Sequence, residues 1–99
     1  MNEGNLPDWL KEEDDGSCTI SFKGSKRLPK IDGTEVSELR MREPSVEDQL
    51  TEEKRHPHKG DAEIAIIANL TEQSPEAIRG LSMRHYNRCA SALAFFQSD

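Results

Sequence analysis

The chain has 99 residues, of which 33% are hydrophobic and 32% are charged, so it forms one domain at most and its buried core is small. The formal charge of −6 is concentrated in residues 1–17, which contain six acidic residues and one lysine. No apolar run is long enough to cross a bilayer, and the N-terminus lacks a signal-peptide pattern. We therefore expect a cytoplasmic protein with no membrane partner.

The acidic segment, residues 1–17, shows no sustained periodicity, which predicts a disordered arm. It contains one aromatic residue, Trp9, next to Leu10. Two interpretations of Trp9 stay open. It is either an anchor that docks on the domain or an exposed element that binds a partner.

A β element is predicted over residues 18–43. Residues 19–22 alternate polar and apolar side chains, as a half-buried strand does. Asp32 and Gly33 are a pair typical of a two-residue hairpin turn. The run that follows, residues 35–42, is predicted as one strand, and a β-bulge is needed if all its apolar side chains are to share a face. A sheet this small needs helices to cover it.

Helices are predicted for the remainder, residues 45–97, so the fold is α+β: a small antiparallel β-hairpin or sheet followed by three to four packed helices, forming a single domain over residues 18–99. The first helix is nearly all polar, and only Val46 and Leu50 are available to hold it on the core. The predicted N-caps are Ser45, Asp61, Ser74 and Ser82.

No catalytic, cofactor or metal site is predicted. The sequence has no nucleophile elbow, phosphate-binding glycine loop or dinucleotide fingerprint. His56 and His58 lack a nearby third ligand, and His85 is expected to be exposed or bonded at the surface. Cys18 and Cys89 are far apart, which indicates two unpaired thiols. The sequence thus favours binding over catalysis.

A DNA-binding or regulatory protein is the alternative, because residues 64–93 follow the helix, short helix, helix order of helix-turn-helix proteins. Residues 61–99, however, contain three arginines and five acidic residues, the reverse of the balance that attracts phosphates. We expect no nucleic-acid partner. A third possibility, an acidic inhibitor that mimics nucleic acid, needs acids clustered on the folded domain.

Three sequence blocks carry a resemblance that covers most of the chain. Residues 30–44 read Lys-Ile-Asp-Gly-Thr-Glu-Val-Ser-Glu-Leu-Arg-Met-Arg-Glu-Pro, residues 64–71 read Ile-Ala-Ile-Ile-Ala-Asn-Leu-Thr, and residues 75–78 read Pro-Glu-Ala-Ile. Together they resemble the Mu-like bacteriophage tail assembly chaperone family. The most specific part is Leu-x-x-Arg-Glu-Pro, residues 39–44.

The resemblance implies a non-catalytic protein of a phage or prophage. Such proteins bind the tape measure protein, so that it neither aggregates nor folds prematurely, and they are absent from the mature virion. In many related phages a translational frameshift adds an extension that recruits tail tube subunits. The partners implied are therefore the tape measure protein and, through a longer form, the tail tube protein.

Partner contact is expected from aromatic and methionine side chains, because these suit adaptable apolar surfaces that hold a helix. The candidates are Trp9, Met83, Tyr86, Phe95 and Phe96. For Tyr86 and Phe96 a core role is the competing interpretation. Phe95 falls at the edge of the apolar stripe of its helix, which favours an exposed contact.

Overall fold

The computed structural model of the protein describes residues 6–98. Nine elements follow one another in this range, five strands and then four helices, which confirms the α+β prediction. The strands are β1 Leu10–Glu12, β2 Cys18–Ser21, β3 Lys30–Ile31, β4 Thr34–Glu35 and β5 Glu38–Met41. The helices are α1 Val46–Arg55, α2 Lys59–Thr71, α3 Pro75–Arg79 and α4 Met83–Gln97.

The larger sheet is antiparallel with strand order β1-β2-β5. Its register places Leu10 opposite Ile20 and Ile20 opposite Leu39, so one row of buried side chains crosses all three strands. Two helices cover this face, because α2 packs against β5 and α4 packs against β2. The core thus lies between the sheet and α2 and α4.

The smaller sheet is the hairpin of β3 and β4. Asp32 and Gly33 form its turn with φ angles of 53° and 80°, the positive values that a type I′ turn requires at both positions. The predicted turn is confirmed. The predicted continuous strand over residues 35–42 is wrong, since the backbone N–H of Val36 donates to the Pro29 carbonyl at 2.9 Å before the chain enters β5. The strand is interrupted there rather than bulged.

The acidic segment is ordered in the part that the structure describes, so the prediction of a disordered arm is wrong for residues 6–17. Leu10 is buried in β1. The loop to β2 is closed by local hydrogen bonds: the Glu13 N–H donates to the Ser17 carbonyl at 2.8 Å, and the Ser17 hydroxyl donates to Asp15 at 2.6 Å. These bonds convert the acidic stretch into a hairpin loop. The same prediction for residues 1–5 lies outside the described residues.

Helix α1 has the predicted N-cap but a different orientation. Ser45 and Asp48 form a capping box. The expected anchors Val46 and Leu50 point to solvent, with 76% and 55% of their surfaces exposed, whereas Glu52 is buried. Polar contacts explain this orientation, among them the bidentate pair from the Arg42 guanidinium to the Asp48 carboxylate at 2.9 and 3.0 Å.

The other helix starts follow the predicted pattern with one exception. Ser74 and Ser82 cap α3 and α4 by accepting hydrogen bonds from backbone N–H groups. Asp61 does not cap α2. The helix begins three residues earlier than predicted, with His58 as an N-cap that makes no side-chain bond, and Asp61 lies in the first turn, where its charge still favours the helix dipole.

Both cysteines are free thiols in the core. Burial raises the pKa of Cys18 to about 11 and that of Cys89 to about 12, so both remain protonated near neutral pH. Cys89 has the core role predicted for it. None of the helices within residues 6–98 has the length and apolar character needed to span a membrane.

The Asp48 carboxylate gives α1 a pH-dependent anchor. Hydrogen bonding by Arg42, and then by the Ser45 N–H, lowers the pKa of Asp48 from its ordinary value of 3.8. A lowered pKa in the folded state stabilises the fold at pH values above the pKa of the unfolded state. This contribution is lost as the pH falls from about 4 towards the folded-state pKa. We expect Asp48→Asn to lower the free energy of unfolding by about 1 kcal/mol at pH 7. Urea denaturation followed by circular dichroism measures this loss.

Repeating the same measurement at low pH separates the effect of the Asp48 charge from the effect of the side-chain shape. The difference between the parent and Asp48→Asn should shrink at pH 2.5, because the unfolded parent then binds a proton at Asp48 while the folded parent, with its lowered pKa, does not. An equal difference at both pH values would show that the carboxylate charge is irrelevant.

Candidate partner-binding groove

An apolar groove opens between α2, the α3–α4 turn and the first turns of α4. We call it the helical groove. Its cavity has a volume of about 340 Å³. Its lining residues are Gly60, Glu63, Ile64, Ile78, Arg79, Leu81, Met83 and Tyr86. Met83 stands at its edge with 68% of its surface exposed, whereas Ile78 forms a fully buried part of the wall.

The short-range sequence signals build this groove. Ser74 and Pro75 start α3, and its C-cap Gly80 is followed two residues later by Ser82, the N-cap of α4. Since two caps lie so close together, the chain turns sharply and Leu81 is placed against the core between the two helices. The groove wall is therefore fixed by capping rather than by a mobile loop.

Tyr86 ties the two long walls together. Its hydroxyl donates a hydrogen bond to the Glu63 carboxylate across the groove. Burial, and then this bond to an acceptor, raise the pKa of Tyr86 well above its ordinary value. The ring packs half-buried against the core, so Tyr86 contributes both to the core and to the groove surface.

The two phenylalanines of α4 lie elsewhere. Phe95 and Phe96 are both half-buried and packed against the core, with ring centroids 5.7 Å apart. They follow Met83 by roughly 18 Å along the helix at 1.5 Å per residue. Both side chains are half-buried, so exposure gives no reason to prefer Phe95 over Phe96 as a partner contact. The five predicted partner-binding residues therefore do not form one surface, and only Met83 and Tyr86 line the helical groove.

Trp9 docks on the domain. The Arg88 guanidinium lies 5.3 Å from the centre of the indole ring, a distance typical of a cation–π contact. Arg88 also donates to the Ser21 carbonyl at 2.6 Å, and the Ser21 N–H donates to the Trp9 carbonyl at 2.8 Å. The docking interpretation of Trp9 is the one that these contacts support.

His85 is buried, with 6% of its surface exposed, so the prediction of a surface histidine is wrong. The reason is a partner distant in sequence. Nε2 lies 2.8 Å from the Arg27 carbonyl, which can only accept, so Nε2 is the protonated nitrogen. Nδ1 lies 3.0 Å from the Ser82 hydroxyl. The imidazole thereby holds the loop after β2 against the start of α4.

Within residues 6–98, no three side chains of His, Cys, Asp or Glu come together in a way that could hold a metal ion. His56 has a carboxylate nearby, with Nε2 3.6 Å from Glu52, at the end of α1. His58 lies in the turn that follows, as the N-cap of α2. The two histidines thus occupy the C-cap of α1 and the N-cap of α2, which accounts for their closeness in the structure.

One exposed apolar patch was not predicted from the sequence. Val46 and Leu50 lie one turn apart on the outer face of α1. Their spacing was visible in the sequence, but it was interpreted as the buried side of the helix. Only the polar contacts on the opposite side, such as the bidentate pair from Arg42 to Asp48 at 2.9 and 3.0 Å, show which face points inward.

A small α+β domain with an open apolar groove bounded by three helices has the kind of surface that binds an apolar helical face of another protein. The family model described as "Phage tail assembly chaperone proteins, E, or 41 or 14" matches residues 27–98. The chain therefore belongs to the phage tail assembly chaperone family, as its resemblance indicated. Membership of a chaperone family implies a role other than catalysis. No curated protein and no solved structure matches the chain significantly.

Proposed function

We propose that the protein binds the tape measure protein of its phage through the helical groove and keeps it soluble until tail assembly begins. It works in the cytoplasm of the bacterial host, and it is absent from the mature virion. It also helps to recruit tail tube subunits. In phages that make a longer frameshifted form of the protein, that form does the recruiting. Its part in assembly is binding without turnover.

The proposal rests on Met83, whose apolar side chain is exposed at the edge of the apolar helical groove. An unbranched thioether side chain fits varied apolar partners, and an amphipathic helix is bound by placing its apolar face in such a groove. All the lining residues fall inside the segment matched by the chaperone family, residues 27–98. A tape measure protein, which is long and largely helical, offers such faces.

The test is co-expression with the tape measure protein of the same phage, followed by size-exclusion chromatography. A soluble complex is expected with the parent chain. Met83→Glu should weaken it by about 2 kcal/mol or more, because a charge would enter the apolar contact. The substitution should spare the fold, since Met83 is 68% exposed and an acid in the first turn of α4 is favoured by the helix dipole.

Val46→Glu is the matched control. Val46 is also the first residue of a helix, is 76% exposed and acquires the same charge, but it lies outside the groove. It should leave the complex intact. Equal loss with both variants would remove the groove from the proposal, and a tape measure protein that stays insoluble with the parent chain would overturn the chaperone function itself.

A further inference from the structure

A second depression lies on the other side of the α3–α4 turn, between this turn and the loop after β2. We call it the basic cleft. Its cavity has a volume of about 840 Å³. Among residues 6–98 the lining contains no acidic residue, and its cationic side chains are Lys26, Arg27, Lys30 and Arg84.

These four cations have no acidic partner in the part of the chain that the structure describes. The six ion pairs found there, within 4.0 Å, involve other basic residues. Lys30 is opposite Glu35 in the small hairpin, yet this pair is not among them. A group of four cations without an acidic partner among residues 6–98 is unexpected on a chain of net charge −6, because a net negative charge repels anions.

Two hydrogen bonds to backbone carbonyls fix the shape of the basic cleft. The bond from His85 Nε2 to the Arg27 carbonyl joins the loop to α4, and the Pro29 carbonyl accepts from the Val36 N–H at 2.9 Å. The loop that carries Lys26 and Lys30 is thus tied at two backbone positions. Its cations are presented to solvent from a fixed backbone, which reduces the entropy lost when they bind.

The basic cleft and the helical groove share one wall. Along the α3–α4 turn, residues 79, 81 and 83 line the groove, whereas residues 80, 82 and 84 line the cleft. Met83 and Arg84 are neighbours in sequence and both are exposed. A segment whose apolar face covers Met83 therefore brings its flanking side chains to the edge of the cleft.

We infer that the partner segment is an amphipathic helix with aspartate or glutamate beside its apolar stripe, and that the basic cleft binds these carboxylates while the helical groove binds the stripe. This inference rests on the proposed function and specifies which part of the client is recognised. The overall negative charge of the chain discourages acidic segments elsewhere, so only a segment with its acids at the cleft gains affinity. A protein partner fits better than nucleic acid, because four cations on an acidic chain form a small patch rather than a phosphate-tracking surface.

The test uses overlapping peptides that cover the tape measure protein of the same phage, with binding to the full chain measured by fluorescence anisotropy. The bound peptides should contain the predicted acids and apolar stripe. Lys26→Glu with Arg84→Glu should weaken their binding about tenfold or more and reduce its salt dependence, since opposite charges become like charges. The neutral pair Lys26→Gln with Arg84→Gln should give a smaller loss.

The matched control is Lys23→Glu with Lys54→Glu, which changes the net charge equally at exposed positions outside the cleft. It should leave binding nearly unchanged, and thermal unfolding should show that all variants remain folded. If the cleft variants bind like the parent while Met83→Glu weakens binding, the inference fails and the proposed function stands. If the parent binds neither the peptides nor the whole tape measure protein, both fail. A duplex DNA oligonucleotide that binds the parent but not the cleft variants would overturn the inference in favour of nucleic acid.

Discussion

Replacing Phe22 by alanine is expected to lower the free energy of unfolding by about 3–5 kcal/mol. The Phe22 side chain is fully buried directly after β2, and its ring meets the His85 imidazole edge-on with centroids 5.2 Å apart. A single domain of this size is stabilised by about 5–15 kcal/mol in total. The variant should therefore be only marginally folded, which urea denaturation followed by circular dichroism will measure.

Phe95→Ala is the control for this prediction. It removes the same ring from a half-buried position near the end of α4, where solvent can fill the space that is left. Its loss should be clearly smaller than that of Phe22→Ala. Equal losses, or a loss below about 1 kcal/mol for Phe22→Ala, would contradict the central place of Phe22 in the core.

Phe22 also connects the core to the basic cleft. Its backbone N–H donates to the Ser37 carbonyl at 2.8 Å, which holds the start of the loop beside β5, and its ring supports the histidine that binds the Arg27 carbonyl. Loss of the ring should loosen the loop that carries the cleft cations. The core thus positions a surface whose residues are distant in sequence.

The elements that local chemistry determines were predictable from the sequence. Serine N-caps at three helices and an Asp-Gly hairpin turn need only neighbouring residues, and the structure has each of them. The groove residues Met83 and Tyr86 were also found, because aromatic and methionine side chains on an amphipathic helix are a local pattern. Their position opposite Ile64 of α2 depends on tertiary packing and was not predictable.

The features that depend on contacts distant in sequence were missed for the same reason. His85 is buried because its partner is the Arg27 carbonyl, and α1 turns its apolar side outward because Asp48 is held by Arg42. The basic cleft combines a loop at residues 26–30 with the first turn of α4. A count of charges along the last helices could not detect it, since most of its cations come from outside them.

Deletion of residues 1–13 is expected to destabilise the domain by about 3 kcal/mol or more. It removes β1, uncovers the β2 edge and exposes the site of Leu10, which is 5% exposed in the intact chain. Loss of a buried leucine side chain alone amounts to about 2–5 kcal/mol. Thermal unfolding of the shortened chain measures the effect. Leu10→Ala should reproduce much of it and Lys11→Ala, at an exposed position of the same strand, should not.

An unchanged melting temperature after this deletion would mean that the acidic segment is a dispensable arm after all. The contacts favour the opposite result, because Trp9 packs on Arg88 of α4 and Arg88 follows the cleft residue Arg84 by one helical turn. The shortened chain should therefore also bind its client more weakly, although the deleted residues that the structure describes, 6–13, line neither the groove nor the cleft. The family match begins at residue 27, so this support comes from a part of the chain that precedes the matched segment.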